Sequence, residues 1–368
     1  MIRFELLKTD GHARRGLLHT NHGVLPTPLF MPVGTAASVK ALDSADVEAT
    51  GARMLIMNTY HLWLRPGPEV VRLHGGLHGF SRWPHAIATD SGGFQAFSLA
   101  ERVKLSEEGF EFSSHLDGTR LHLSPEVSMQ VQAALGSDIA MQLDVCPPGQ
   151  APDAEMAEAV LRTTRWAKRC LAARDPEQAL FGIIQGGTHV ERRLAHAREL
   201  SALPFDGLAL GGFSVGEPNE SMHATLRKVA PLLDPARPHY LMGVGTPADL
   251  LRAIAQGIDI FDCVMPTRNA RNGQVFTPDG KIVIKHAKHR YDLAPLDESC
   301  PCSTCRSGLS RSYLRHLFIA GELSAYRYLS LHNLTFYARL VQQAREAIEL
   351  GRFADFAQDA LAKMAPAT

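Results

Sequence analysis

The sequence predicts an α/β protein, a single (β/α)8 barrel over residues 1–368 with a small metal-binding subdomain inserted at 274–333. Three observations lead there. Short apolar runs alternate with amphipathic stretches through most of the chain, as parallel strands and their crossover helices do. Seven or eight such units fit a closed barrel better than an open sheet. Near the C-terminus this rhythm breaks, and three of the six cysteines stand close together.

The first apolar run is Ala52–Tyr60. Ala86–Thr89 follows and ends in Asp90-Ser91-Gly92-Gly93. Ile139–Leu143 ends at Asp144, Ala179–Ile184 at Gln185 and Leu208–Leu210 at Gly211-Gly212. Tyr240–Met242 ends at Gly243 and Ile258–Phe261 at Asp262. A polar residue or glycine thus recurs at strand C-termini, the rim where barrel active sites form. One such carboxylate would be no more than a turn or cap residue. Asp90, Asp144, Gln185, Gly212 and Asp262 on one rim nominate a site.

Between the runs lie helical patterns. Pro152–Arg174 spaces Met156, Val160, Leu161, Trp166 and Leu171 along a helix. Pro218–Leu233 and Pro247–Gln256 begin with proline, which suits the first helical turn. From about Gln274 the chain alternates apolar and basic residues before the cysteines, which predicts a β-rich insertion. Leu334–Ala365 reads as a closing helical tail, with His332 at its start.

Formal net charge is zero, so overall charge does not suggest nucleic acid. The stretch Asp262–Arg315 is nevertheless basic, with nine Lys/Arg against five Asp/Glu. No apolar run is long enough to span a membrane, and the N-terminus lacks the apolar core of a signal peptide. The expectation is a reduced, cytoplasmic protein whose clustered cysteines bind metal.

Cys300, Cys302 and Cys305 form a C-x-C-x-x-C cluster. Thiolates suit Zn2+, and tetrahedral zinc needs a fourth ligand. Spacing leaves His316 and His332 both open. A Cys3His set keeps no position for water, so such a site is structural.

Asp90-Ser91-Gly92-Gly93-Phe94-Gln95 leaves a strand on two glycines, which let a planar ligand approach. Phe94 offers a ring for stacking. Arg268 and Arg271 follow Asp262, placed to meet base edges or phosphates. Paired carboxylates on one rim suggest double displacement at a sugar carbon: one attacks, the other handles protons.

The motifs D-S-G-G-F-Q at 90–95, F-G-I-I-Q-G at 181–186, G-G-x-x-V-G-E at 211–217 and Y-L-M-G-V-G at 240–245 stand in order. F-D-C-V-M-P-T-R-x-x-R-N-G at 261–273 and the cysteines with a distant H-N-L complete the set. Together they resemble bacterial tRNA-guanine transglycosylases over essentially the whole chain. The resemblance implies a TIM barrel with one structural Zn2+ per chain on Cys300, Cys302, Cys305 and His332. It implies that Asp262 attacks ribose C1′ of guanosine 34 and that Asp90 is the general acid/base. Guanine would then be exchanged for 7-aminomethyl-7-deazaguanine (preQ1) in queuosine biosynthesis. The implied tRNAs are those for Asp, Asn, His and Tyr, with G-U-N anticodons.

By the same resemblance the base is held by Ser91, Gly92, Gly93, Asp144, Gln185 and Gly212, between Phe94 and Met242. RNA contacts map to Gly243, Val244, Gly245, Thr246, Pro247, Ala248 and Asp249, and to Thr267, Arg268, Asn269, Ala270 and Arg271. A homodimer is implied too. Phe94 departs from members with an aromatic hydroxyl there. Phe213 and Ser214 stand where small aliphatic residues are common, and Val215 adds bulk against the larger queuine base.

Three other readings fit less well. Archaeal-type enzymes inserting preQ0 carry extra C-terminal domains, whereas this sequence runs 36 residues past His332. Non-catalytic partner subunits lack part of the catalytic set. A metal-dependent barrel hydrolase needs ligands at strand ends, and the cysteines lie outside the strands.

Overall fold

The structure, a computed structural model, describes residues 2–99 and 101–365. It opens with an antiparallel sheet of β1 (Arg3–Asp10), β2 (Ala13–Thr20) and β3 (Gly23–Thr27). The barrel begins with β4 (Leu29–Met31), β5 (Val33–Gly34), β6 (Met54–Met57) and β7 (Ala86–Thr89). A second antiparallel sheet interrupts it: β8 (Glu101–Leu105), β9 (Phe110–Ser113) and β10 (Arg120–Leu123). The barrel resumes with β11 (Ile139–Met141), β12 (Ala179–Ile184), β13 (Gly207–Leu210), β14 (His239–Leu241) and β15 (Ile260–Asp262). A hairpin of β16 (Gln274–Thr277) and β17 (Gly280–Val283) follows.

The barrel strands run parallel in the order β4-β15-β14-β13-β12-β11-β7-β6-β5. β4 and β5 are one strand broken at Pro32, whose nitrogen has no hydrogen to give a ladder. The Pro32 carbonyl still accepts from Ile56 N–H at 3.1 Å. The two ends of that order are therefore joined by one residue, and the sheet closes as the eight-stranded barrel the periodicity predicted.

Two apolar layers hold it. Inward side chains such as Met31, Ile139, Phe181 and Tyr240 fill the barrel together with Leu18 and Leu25 of the N-terminal sheet. That sheet plugs the end where strands begin: Arg14 of β2 meets Asp259, just before β15. Outward side chains such as Ile87, Leu143 and Leu208 pack under the surrounding helices. The opposite, C-terminal rim stays open.

The differences from expectation have local causes. The run Ala52–Tyr60 stops being strand at Met57, because the Asn58 side chain accepts from His61 N–H and caps a helix, Thr59–Leu64. The insertion is less β-rich than expected: after β16–β17 come the helices Ser303–Arg306 and Arg311–Ala320. The tail is two helices, Leu323–Glu349 and Phe353–Met364, so His332 lies inside a helix, not at its start. The sheets β1–β3 and β8–β10 carry no matching expectation.

Candidate active site

The strand ends deliver Asp90, Asp144, Gln185, Gly212, Met242 and Asp262 to one cavity of about 280 Å³. Ser91, Phe94 and Gly243 line it too, as do Gly211, Tyr240 and Cys146. Gly92 and Gly93 lie behind this wall. A Cβ at Gly93 would come within 2.9 Å of Leu143 Cδ1 and 3.2 Å of the Asp144 carbonyl oxygen, so a side chain there would crowd the turn. Phe94 is 47% exposed, an edge of the cavity mouth and not a core ring.

Asp90 follows β7 and is held from several sides. Oδ1 accepts from Thr59 N–H at 2.9 Å and Gly92 N–H at 3.2 Å. Oδ2 accepts from the side-chain amides of Asn58 at 2.6 Å and Gln95 at 3.2 Å. Burial nonetheless pushes this carboxyl up to about 7; the two backbone N–H groups oppose that, and the charges of Asp262 and Asp144 add to it. Asp262, ending β15, is also raised by burial. Its partners differ: Tyr240 O–H donates to Oδ1 at 2.6 Å and Gly243 N–H at 2.8 Å. Both stabilise the ionised form.

Asp144 is pushed up to about 6, chiefly by burial, against donors from Gln185 and Ser91. Gln185 Nε2 donates to it at 2.6 Å and Ser91 Oγ at 3.4 Å. Gln185 Oε1 is buried with no protein partner, an acceptor available to a ligand. Gly212 has φ +63°, and a side chain there would collide with that amide.

Arg193 supports this wall from behind and is fully buried. Its guanidinium lies 3.7 Å from the Phe213 ring centroid and donates to the carbonyls of Ile184 at 3.1 Å, Gly211 at 2.8 Å and Gly212 at 3.2 Å. Burial pulls its pKa down to about 9, which leaves it cationic at neutral pH. In a planar trans peptide N–H opposes C=O. Anchoring the Gly211 carbonyl on Arg193 therefore turns the Gly212 N–H to the cavity side. Glu217 accepts from the N–H groups of Ser214 and Val215, which fixes the rest of that loop.

A family profile described as Queuine tRNA-ribosyltransferase matches residues 9–366. A relative of that name from Sorangium cellulosum is 64% identical over 355 residues, covering 96% of this chain and 90% of its own. Another, from Neisseria meningitidis, is 52% identical over 360 residues, covering 97% and 96%. One from Geobacillus kaustophilus is 50% identical over 362 residues, covering 97% and 95%.

The chain belongs to the queuine tRNA-ribosyltransferase family.

Cys300, Cys302, Cys305 and His332 come together, all buried, with ligand atoms within 4.8 Å of one another. His316 is exposed and outside the cluster. His332 Nδ1 lies 3.3 Å from Cys305 Sγ and 3.9 Å from Cys302 Sγ. Its Nε2 is 2.8 Å from the Phe276 carbonyl, which fixes the ring with Nδ1 toward the thiols. Three thiols and one imidazole in a closed pocket suit a four-coordinate metal ion.

In this queuine tRNA-ribosyltransferase family member the two stretches matched to RNA contacts are accessible only in places. Gly243 is exposed; Thr246 and Ala248 are half-buried; Val244, Gly245 and Pro247 are buried. Thr246 caps the helix Pro247–Ile254. The Asp249 carboxylate is buried and engaged by His223, Asn219 and Thr246. In the helix Met265–Arg271, Arg268 is exposed, Asn269 and Arg271 are half-buried, and Thr267 and Ala270 face inward.

Sequence reasoning missed Tyr240, Arg193, Asn58 and Glu217. Glu217 stands in a quoted motif, so a signal existed. Tyr240 also stands in a quoted motif, at 240–245, but read as one more apolar strand residue. Arg193 lies in the unremarkable helix Val190–Ser201 and carried no signal.

Proposed function

We propose that this protein exchanges guanine 34 of tRNAs with G-U-N anticodons for preQ1, through a covalent enzyme–tRNA intermediate, in queuosine synthesis. Its family acts in tRNA guanine modification. The observation that carries the finer reading is the pairing of Asp90 and Asp262, with different partners, in one cavity sized for a purine.

Asp262, ionised and held by Tyr240 and Gly243, attacks C1′. The C1′–N9 bond breaks as the C1′–oxygen bond forms. Asp90, the carboxyl that favours its proton, delivers it to the departing guanine. PreQ1 then binds, gives a proton to Asp90, and takes C1′ with release of Asp262. The Asp144 carboxylate accepts from the base N1–H and 2-amino group, and Gly212 N–H donates to O6. Phe94 and Met242 flank the ring. Arg268, Asn269 and Arg271 meet the bases beside position 34, and Gly243, Thr246 and Ala248 meet the backbone.

Zn2+ is the metal proposed for the Cys3His cluster, where it ties the insertion to the barrel and takes no part in the chemistry. The acceptors are tRNAs for Asp, Asn, His and Tyr, bound by a homodimer. No described helix is long and apolar enough to cross a membrane; the proposed site of action, where these tRNAs are modified, is the cytoplasm.

The test is incubation with labelled preQ1 and a G34 tRNA. Label entering RNA, with a tRNA adduct that survives denaturation and vanishes in Asp262→Asn, is the expected result. Exchange without any adduct would remove the covalent route; no exchange would remove the substrate assignment.

A further inference from the structure

One buried carboxylate ties the helix after β13 to the helix after β14. Asp249 sits in the first turn of the helix Pro247–Ile254, and only 7% of its side chain is exposed. Its Oδ1 accepts from His223 Nε2 at 2.8 Å and from Asn219 Nδ2 at 3.1 Å, both on the helix Asn219–Val229. Its Oδ2 accepts from Thr246 Oγ1 at 2.6 Å, and Thr246 Oγ1 accepts in turn from Asp249 N–H at 3.1 Å.

These contacts decide what Asp249 can do. A carboxylate only accepts, so His223 Nε2 carries the proton of its bond. Burial works against the charge of Asp249, but the donors His223, Thr246 and Asn219 hold its carboxyl below the ordinary value. An ionised group this enclosed, with donors on both oxygens, is poorly placed to meet RNA, and phosphates would repel it. What it holds instead is a loop. Residues 243–246 are pinned at three points. Gly243 N–H donates to Asp262 Oδ1 at 2.8 Å, the Gly245 carbonyl accepts from Tyr337 O–H, and Thr246 is fixed on Asp249. The third point reaches across to the loop after β13, because Asn219 stands two residues beyond Glu217, which holds the N–H groups of Ser214 and Val215.

We propose that Asp249 is an internal clasp and not an RNA contact, and that His223 and Asn219 are positioning residues which set residues 243–248 through it. The inference rests on the proposed binding of tRNA at this rim. Loss of the Nε2 donor leaves a buried carboxylate short of a partner. The first turn of its helix then opens toward water, and Thr246 and the residues before it move.

The test separates packing from hydrogen bonding at His223. His223→Gln keeps an N–H donor and loses the ring, whereas His223→Phe keeps a ring and loses the donor. In the full chain, entry of labelled guanine into a G34 tRNA is followed with each substrate varied, beside amide hydrogen exchange of residues 243–250. His223→Phe should raise KM for tRNA about 10- to 100-fold, the scale of a charged hydrogen bond. It should leave KM for guanine nearly unmoved and speed exchange of those amides. His223→Gln should stay near the unchanged chain in all three. Asp249→Ala should repeat His223→Phe, and the two together should be no worse than Asp249→Ala alone. A silent His223→Phe beside a damaged His223→Gln makes the ring a packing group and overturns the proposal, as do equal effects of both or unmoved amides in His223→Phe. An unchanged chain that puts no guanine into tRNA removes the reaction and not the clasp, which the amide exchange then judges alone.

Discussion

Asp90 and Asp262 meet the same cavity with different partners. Asp262 accepts an O–H and a backbone N–H on one oxygen, whereas Asp90 is pushed up to about 7 by burial, with the Asp262 charge adding to it. Burial and the neighbouring charges therefore favour a proton on Asp90, while the O–H and N–H donors favour charge on Asp262. In the proposed exchange, departure of guanine needs Asp90 protonated and Asp262 ionised. Activity should then fall on the alkaline side as pH rises through about 7, and on the acid side as Asp262 takes a proton. In kcat/KM profiles Asp90→Asn should lose the alkaline limb and about 100- to 10,000-fold in rate; a persistent limb assigns it elsewhere. Asp262→Asn should abolish exchange while tRNA binding by filter or gel shift remains, and full exchange in this variant removes the nucleophile assignment. Tyr240→Phe deletes one charge-assisted donor, worth about 1.5–3 kcal/mol. It should move the acid limb to higher pH, because the ionised form of Asp262 loses support; an unmoved limb means that Tyr240 only packs.

The helix Val190–Ser201 acts on the cavity wall through Arg193 and through His196, whose Nδ1 accepts from Gln185 N–H at 2.9 Å. Arg193 joins the loop after β12 to the loop after β13, so the cavity-facing Gly212 N–H depends on a guanidinium behind the wall. Arg193→Met should raise KM for guanine about 10- to 100-fold, the scale of a charged hydrogen bond. Its tRNA Kd should stay unchanged, and Arg193→Lys should fall between. A lower melting point with an unchanged KM would make Arg193 a packing residue. This contact also shows what the sequence could carry. β7 and β12 were legible to the residue because a strand buried on both faces must be apolar throughout and must stop where polarity returns. β1 was not, because its mostly exposed side chains leave no alternation to read. Asp90 and Asp262 were visible as breaks after such runs. Arg193 and Tyr240 were not, since their roles arise from partners 18 to 22 residues away, across strands that fold must first align.

Across the whole molecule, the helix Leu323–Glu349 couples the metal cluster to both stretches matched to RNA contacts. His332 faces the thiols. Its neighbour Asn333 donates to the carbonyls of Pro266 and Gln274 and accepts from Phe276 N–H, bracketing the helix that bears Arg268 and Arg271. One turn on, Tyr337 O–H donates to the Gly245 carbonyl in the loop after β14. The cavity wall of Asp144, Gln185 and Gly212, proposed to hold the base, hangs instead on β11, β12 and β13, without contact to this helix in any of these bonds. Loss of metal should thus separate the two binding functions. Treatment with a strong chelator, or Cys305→Ala, should weaken tRNA binding at least about 10-fold, as partial loss of an ordered subdomain implies. Binding of guanine, followed by calorimetry under the same conditions, should change far less. A parallel loss of both would mean that the barrel itself needs the ion, and an unchanged tRNA Kd would mean that the helix holds Gly245 and Pro266 in place without it.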